Sequence, residues 1–349
     1  MSSIPYYLCY AIPVTLFLGL YLGSWWIGLP ILLGFGVLPL VDLVVGLDES
    51  NLSKDDELKI KNKFSFRLVT LLWAPTQVAV VLVSAWYVST QTLQWWELVL
   101  VTLSVATSCG GLGITISHEL CHQKTKIEQL ASQVILLFVN YSHFHLEHVY
   151  GHHHRVATPE DPATSRLGES FYSFLPRTMI GSYMSAWEWE ANRVRVRKLN
   201  PWKLENRMIN YLILQGLLSL SIFLAFGWVG LVFFLAQSFF SASLLEAINY
   251  IEHYGLMRKK LPNGRYEKVK PIHSWNANNF IANIFLFKLQ RHSDHHANAN
   301  RRYQILRNFP EAPHLPFSYP FMVILTLVPP LFKGIMDPLV AAHRAKYPV

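Results

Sequence analysis

WELVLVTLSVATSCGGLGITIS (96–117) contains one charged side chain in 22 residues, and HELCHQK (118–124) follows it directly. A helical apolar stretch of that length matches the hydrocarbon thickness of a bilayer. His118 and His122 are four residues apart, so on a helix they project from one face, one turn apart, where the chain leaves the membrane. A span that ends in paired imidazoles implies an integral membrane protein with its polar chemistry at the helix ends.

Working outward, six apolar stretches are long enough to span, or nearly so: Pro5–Ser24, Ile27–Leu47, Phe66–Ser89, Trp96–Ser117, Asn210–Phe226 and Trp228–Tyr250. The expected architecture is an all-α integral membrane protein with a single membrane domain over 1–349. Its six transmembrane helices (5–24, 27–47, 66–89, 96–117, 210–226 and 228–250) form three hairpins, and 118–209 and 251–349 are cytoplasmic catalytic segments. The connections Trp25-Trp26, Thr90–Trp95 and Gly227 contain no Lys or Arg. Nearly all basic residues fall in Asp48–Lys63, His118–Arg207 and His253–Val349, which places both termini in the cytoplasm by the positive-inside rule. Ile127–Tyr141 is short, and Pro320–Phe332 is broken by Pro329-Pro330, so both are expected as interfacial or re-entrant segments. Asp48–Lys63 is expected as a charged loop with a short amphipathic helix at most.

The composition agrees. Hydrophobic residues make up 52% and charged residues 15% of the 349 positions, too little charge to cover a soluble protein of this size. Mean hydropathy is +0.24. The net charge of +8 forms no single stripe of the kind nucleic acid requires. Cys9, Cys109 and Cys121 are far apart, which excludes a disulfide framework and a four-cysteine metal site. The N-terminus lacks a basic region before its first apolar stretch, so no cleavable signal peptide is expected.

Most of the fifteen histidines fall into four groups. After HELCHQK comes EHVYGHHH (147–154), where His148 and His152 repeat the four-residue spacing and His153 adds a neighbour. NYIEHYG (249–255) puts His253 at the end of the sixth span, and LQRHSDHHA (289–297) sets His292, His295 and His296 on one helical face. All four groups lie at one membrane depth, so they can converge. Nine imidazoles exceed what one ion accepts, so two metals are expected. Imidazole suits Fe, Zn, Cu and Ni alike, so the spacing does not name the metal. His143 and His145 are read as supporting or structural, His273 of HSWN (273–276) as lining the site, and His314 and His343 as surface residues. His154 extends the run of three and stays ambiguous. Glu119, Glu147, Glu252 and Asp294 adjoin the histidines and are candidates to accept the free imidazole N–H and fix its tautomer. Glu246 lies inside an apolar span on the side of Asn249 and His253, which makes it a functional candidate.

Taken together, HEL-x-H, EH-x-x-GHH, NYIEHYG and LQRH-x-DHHA, with VATPEDPATSRLGE (156–169) and HSWN, resemble the alkane 1-monooxygenase family, membrane histidine-box oxygenases, over nearly the whole chain. The resemblance implies nine metal ligands: His118, His122, His148, His152, His153, His253, His292, His295 and His296. It also implies two non-haem irons, O2 as co-substrate, and oxidation of the terminal methyl of medium- to long-chain n-alkanes to 1-alkanols in the bacterial inner membrane. Two departures are Gln123 before Lys124, and His154-Arg155 after the GHH triplet. Neither touches an implied ligand, though His154 leaves open which imidazoles of that run bind.

The chain has no nicotinamide or flavin fingerprint and no paired cysteines, so its electrons must come from another protein. The resemblance implies rubredoxin, reduced by rubredoxin reductase. Arg193–Lys198 and Arg301-Arg302 are candidates to steer an acidic carrier, or to bind anionic lipid. The family's chain-length gate on the second span corresponds to LLGFGVLPL (32–40), where Gly34 and Gly36, together with His273, are the expected channel residues. Glycines in membrane helices also serve close packing. The alternative readings are a fatty acyl desaturase or a related histidine-box methyl hydroxylase. A transition-metal transporter is the rival from another class, but transport sites lie near the midplane on broken helices rather than at helix ends.

Overall fold

The computed structural model describes residues 2–348, and these are mainly helical, with three isolated β-bridges as their only extended pairing. Five helices are long and apolar enough to cross a bilayer: α1 (Ile4–Leu22), α2 (Ser24–Val45), α4 (Phe64–Thr90), α5 (Trp95–Cys121) and α9 (Arg207–His253). Between them lie α3 (Lys54–Ile60), α6 (Lys126–Leu137), α7 (144–155) and α8 (Phe171–Val196). After them come α10 (Phe280–Phe285), α11 (His292–Ala297), α12 (Tyr319–Thr326) and α13 (Pro329–Lys346).

The difference in number between five long helices and six expected spans lies at Gly227. A straight helix of the 47 residues in α9 would run roughly 70 Å, more than twice a hydrocarbon core of about 30 Å. Gly227 interrupts it at φ 66, ψ −165, leaving arms over 207–226 and 228–253. Gly23, between α1 and α2, has nearly the same backbone, φ 70, ψ −174. That region is open essentially to glycine alone. The first corner therefore falls at Gly23 and not at the expected Trp25-Trp26, whose first indole instead stacks on Trp96 with centroids 4.3 Å apart. The α4–α5 corner is as expected, and Glu97 accepts from the Gln94 N–H at 2.8 Å to cap α5.

Polar groups within the spans choose which helices become neighbours. Trp73 Nε1 donates to Gln77 Oε1 (3.0 Å), and Gln77 Nε2 donates to the Ile135 carbonyl on α6 (2.9 Å). Ser104 of α5 donates to the Ile27 carbonyl at 2.7 Å, and Gln237 of α9 to the Phe138 carbonyl at 3.0 Å. An unpaired polar group in lipid costs several kcal/mol, so each bond rejects alternative packings. α6, from the first short apolar run, lies across α4 and α5, with Ser117 and Ser132 hydroxyls 2.8 Å apart. Asp42 near the end of α2 accepts from the Ile281 and Ala282 N–H groups (2.8 and 3.1 Å) and so caps α10. α3 is the short helix expected in Asp48–Lys63, capped by Ser53.

In α5 the turns widen to five-residue hydrogen bonding over Thr107–Ile114. Gly110 then faces α9 so closely that a Cβ would stand 2.6 Å from Ser241 Cα, whereas a Cβ on Gly111 would meet nothing within 4 Å. Gly110→Val should therefore lower stability by about 1–3 kcal/mol, and Gly111→Ala should leave it unchanged. Thermal unfolding of the detergent-solubilised variants, followed by intrinsic fluorescence, measures both. Equal melting of the two variants would show that the α5–α9 crossing is not as tight as described.

Candidate metal centre

Nine imidazoles converge in two sets. His118, His122, His148, His153 and His295 each offer a nitrogen within 4.8 Å of the others, as do His152, His253, His292 and His296. The sets adjoin, with the His153 and His296 rings 4.5 Å apart. α5 carries His118 into the site and ends at His122. α7 brings three histidines, the end of α9 brings His253, and α11 brings three more.

The sets do not divide as four-residue spacing alone suggests. That spacing predicts His148 and His152 on one face, yet they belong to different sets. The reason is local backbone: Glu147–His152 forms wide turns with five-residue hydrogen bonding, which aligns residues five apart instead of four. His148 and His153 thereby meet, with Nε2 atoms 3.0 Å apart. On α11 the ordinary spacing brings His292 and His296 together (Nε2–Nε2 2.8 Å), while His295 turns to the other set and lies 3.0 Å from His153 Nε2. The single face expected for α11 is thus shared between two adjacent positions.

These nitrogens cannot satisfy one another. A neutral imidazole nitrogen either donates or accepts, yet His153 Nε2 faces both His148 and His295, and His292 Nε2 faces both His253 (3.3 Å) and His296. The Nε2 atoms of His118, His122 and His152 are buried with no hydrogen-bond partner. Burial holds protonation of His122 down to about 3 and keeps His148, His153, His292, His295 and His296 well below the usual range. Neutral, convergent, otherwise unpaired imidazoles are the donor set a transition metal takes. The two clusters are suited to hold metal ions.

The supporting carboxylates depart from expectation. The partner of His152 Nδ1 is Asp161 (2.9 Å), which the sequence reading passed over. Thr164 donates to the same carboxylate oxygen at 2.6 Å, and the Ala163 N–H to the other at 3.2 Å. Burial opposes its charge, but His152 and Thr164 hold the Asp161 carboxyl below its usual range. Its signal was present in the ATPEDPATS string, as an acid between turn-forming prolines. Of the carboxylates singled out, Glu252 alone touches a clustered histidine, with Oε2 3.1 Å from His292 Nε2. It meets the convergent nitrogen and not the outward N–H. Glu119 instead accepts from Gln123 (3.0 Å), and Glu147 from Arg155 (2.8 Å). Glu246 accepts from Tyr141, Thr178 and Asn249, and Asp294 from Asn298, Arg301 and the Arg307 N–H. These four brace the elements around the site.

Other motif residues are scaffolding too. Arg291, fully buried, donates to the carbonyls of Leu306, Asp48 and Ser50 and so fixes the start of α11. Asn276 of HSWN exchanges two bonds with Ser293 (2.6 and 2.9 Å), and Trp275 bonds the Glu252 and Tyr254 carbonyls. His273 itself lies elsewhere, accepting from the Lys270 N–H at 3.0 Å in a cleft with His343 and Arg344. His143 and His145 are buried outside both sets, and His154 is exposed.

An apolar cavity approaches the centre. Gly34, Ile12, Thr107, Leu112, Ile248, Phe285 and Tyr319 contribute to its walls. Tyr319 donates to the Trp275 carbonyl at 3.4 Å and lies near Glu252, the neighbour of His292. Among the expected channel residues, the structure brings Gly34 to this cavity, but not Gly36 or His273.

A family model described as fatty acid desaturase matches residues 93–323. The chain is 44% identical to Alkane 1-monooxygenase 2 of Pseudomonas aeruginosa, across 92% of this chain and 85% of that protein. It is 42% identical to Alkane 1-monooxygenase 1 of Alcanivorax borkumensis, across 93% and 81% of the two chains. With Alkane 1-monooxygenase of Pseudomonas putida the identity is 40%, across 94% and 83%.

Asp161 orients His152, so Asp161→Asn should weaken metal retention by about 10–100-fold, the usual effect of losing such a partner. Metal content after dialysis against graded chelator reads this directly. Retention equal to wild type would show that His152 needs no orienting group.

Proposed function

Since the chain belongs to the alkane 1-monooxygenases, within the fatty acid desaturase family, we propose that it oxidises the terminal methyl of medium- to long-chain n-alkanes to 1-alkanols with O2 and two electrons. In this reading two irons are held, one by His118, His122, His148, His153 and His295, the other by His152, His253, His292 and His296. Bound iron would supply the reductive activation of O2 that an unactivated C–H bond demands. The protein works in the bacterial inner membrane with both termini and the histidine side in the cytoplasm, and rubredoxin, recharged by rubredoxin reductase, supplies the electrons.

The observation that carries this reading is the cavity. Apart from Thr107 and Tyr319, every lining residue is apolar, glycine or proline, and the site end is Tyr319 beside Glu252 and His292. An alkane offers no polar group, so burial of about 0.8 kcal/mol per methylene must hold it, and only cavity shape can choose which carbon arrives first. The same lining favours an alkane over a fatty acyl substrate, because no cationic side chain belongs to it. Tyr319 on the cavity wall and Glu252 beside His292 are the groups near the imidazoles at which a proton can be held. The apolar lining of the cavity keeps water from the reacting carbon.

Gas chromatography of products from n-alkanes of graded length, combined with metal analysis, tests the assignment. Wild type should yield 1-alkanols and contain iron, and His295→Ala should lose both iron and product while still inserting into membranes. Alkenes, or full activity in His295→Ala, would overturn it. Gly34→Trp should abolish oxidation of long alkanes and spare short ones, because an indole fills the cavity beside Thr107, already 3.2 Å from a Cβ at that position. Competitive oxidation of an alkane mixture reads the difference, and a uniform loss at all lengths would remove Gly34 from the substrate path.

A further inference from the structure

Past His253 the chain leaves the centre as an exposed loop, 257–270, drawn together by a Lys260–Tyr266 bridge and turning at Asn263-Gly264. It contains Arg258, Lys259, Lys260, Arg265, Lys268 and Lys270 against one acid, Glu267, a net +5 out of the whole chain's +8. Lys270 pairs with Glu267 at 2.5 Å, and Lys260 lies over the Tyr266 ring. Lys259, Arg265 and Lys268 are exposed and form no ion pair among the described residues.

The base of this loop is fastened to the metal centre. Arg258 is buried, its N–H donating to the Ala157 carbonyl at 2.7 Å and its Nη2 to the His154 carbonyl at 2.8 Å. His154 adjoins His153, the one clustered histidine that is not buried. The loop thus places a concentrated positive charge beside the clustered imidazole nearest to water.

A second basic surface differs in kind. Before α9, Arg195, Arg197, Lys198 and Lys203 alternate with Val196, Leu199, Trp202 and Leu204, which are 44–85% exposed. Charge interleaved with exposed aromatic and aliphatic side chains is the pattern of a lipid interface. In the 257–270 loop the only exposed large hydrophobic is Leu261, at 38%. Charge without apolar side chains to insert fits a water-soluble partner.

We propose that the 257–270 loop is the docking surface for an acidic, one-electron carrier protein that delivers its electron to the centre through His153. This rests on the monooxygenase reading above. Each docking oxidises one carrier by one electron. Two dockings supply the pair that, with two protons from water, reduces one atom of O2 to water while the other forms the alcohol. The expected segments Arg193–Lys198 and Arg301-Arg302 are then not the principal docking site, the first being a lipid contact and the second held by Asp294 and Glu128.

The test uses full-length protein in nanodiscs, rubredoxin as the carrier, and the triple variant Lys259→Glu/Arg265→Glu/Lys268→Glu. Its apparent KM for carrier should rise about tenfold or more at low salt, as steering charges allow, with kcat at saturating carrier unchanged. The difference should close above about 0.3 M salt, where screening shortens the reach of charge to a few ångströms. Turnover driven by a small chemical reductant should match wild type, and Arg195→Glu/Arg197→Glu/Lys198→Glu should leave the carrier KM alone. An unchanged KM in the loop variant, or an equal rise in the second variant, overturns the docking surface. A loop defect that persists with the chemical reductant and follows phosphatidylserine content assigns the loop to lipid and overturns it as well. If wild type itself forms product only with the chemical reductant, the carrier reading has failed, and the docking surface with it.

Discussion

Nine clustered imidazoles, all but His153 buried, whose nitrogens approach to about 3 Å are the constraint on which the rest of the structure depends. Packed this closely, the imidazoles present lone pairs that their neighbours cannot all satisfy. Left without cations, the cluster would carry several desolvated acceptors, each a penalty of the order of 1–3 kcal/mol. Cations turn that burden into binding energy, so metal retention and the folding of this region are coupled. The nitrogens come from four elements far apart in sequence, so the fold must hold helix ends in register to within the tolerance of a coordination bond.

That register is maintained by hydrogen bonds to backbone. Arg291, immediately before His292, binds three carbonyls on two segments, and Asn276 grips Ser293 immediately after it. Asp42 reaches from α2 to cap α10. Buried charged groups of this sort add little net stability, yet removing one partner leaves the other unpaired and is strongly destabilising. Such bonds act as geometric constraints, which is what two adjacent ligand clusters need from their surroundings.

The helical membrane architecture was readable because apolar runs of 17–24 residues admit few other folds. The nine histidines were readable because α-helical spacing and family strings coincide on them. Their division into two sets was not. It turns on a local change from four- to five-residue turns at Glu147–His152, and no composition signal there distinguishes the two. The corner at Gly23 was missed for a related reason: the paired tryptophans look like a boundary, but only the glycine before them can adopt φ 70 with extended ψ. Asp161 escaped because it lies nine residues from His152 in a turn-rich segment, where proximity depends on the loop path rather than on periodicity. Glu119, Glu147 and Asp294 show the converse: adjacency to a histidine in sequence does not direct a carboxylate toward it.

The position of the centre at the end of the bundle follows from two requirements that conflict anywhere else. A substrate with no polar group is recognised only by apolar contact, so its path must be dry and lined as the Gly34–Tyr319 cavity is. Protons come from water, and so in the proposed reading does the electron carrier, so the opposite side of the same centre must approach the surface. A site at mid-membrane would satisfy the first requirement and bury the second; a site in a soluble domain would reverse the problem. Here the apolar cavity meets the set containing His292 through Tyr319 and Glu252, while the other set reaches the aqueous side at His153, the least buried of the nine. The two sets face different media across rings only 4.5 Å apart. That asymmetry gives a physical reason for two adjacent clusters, because neither position alone touches both the substrate path and the water side.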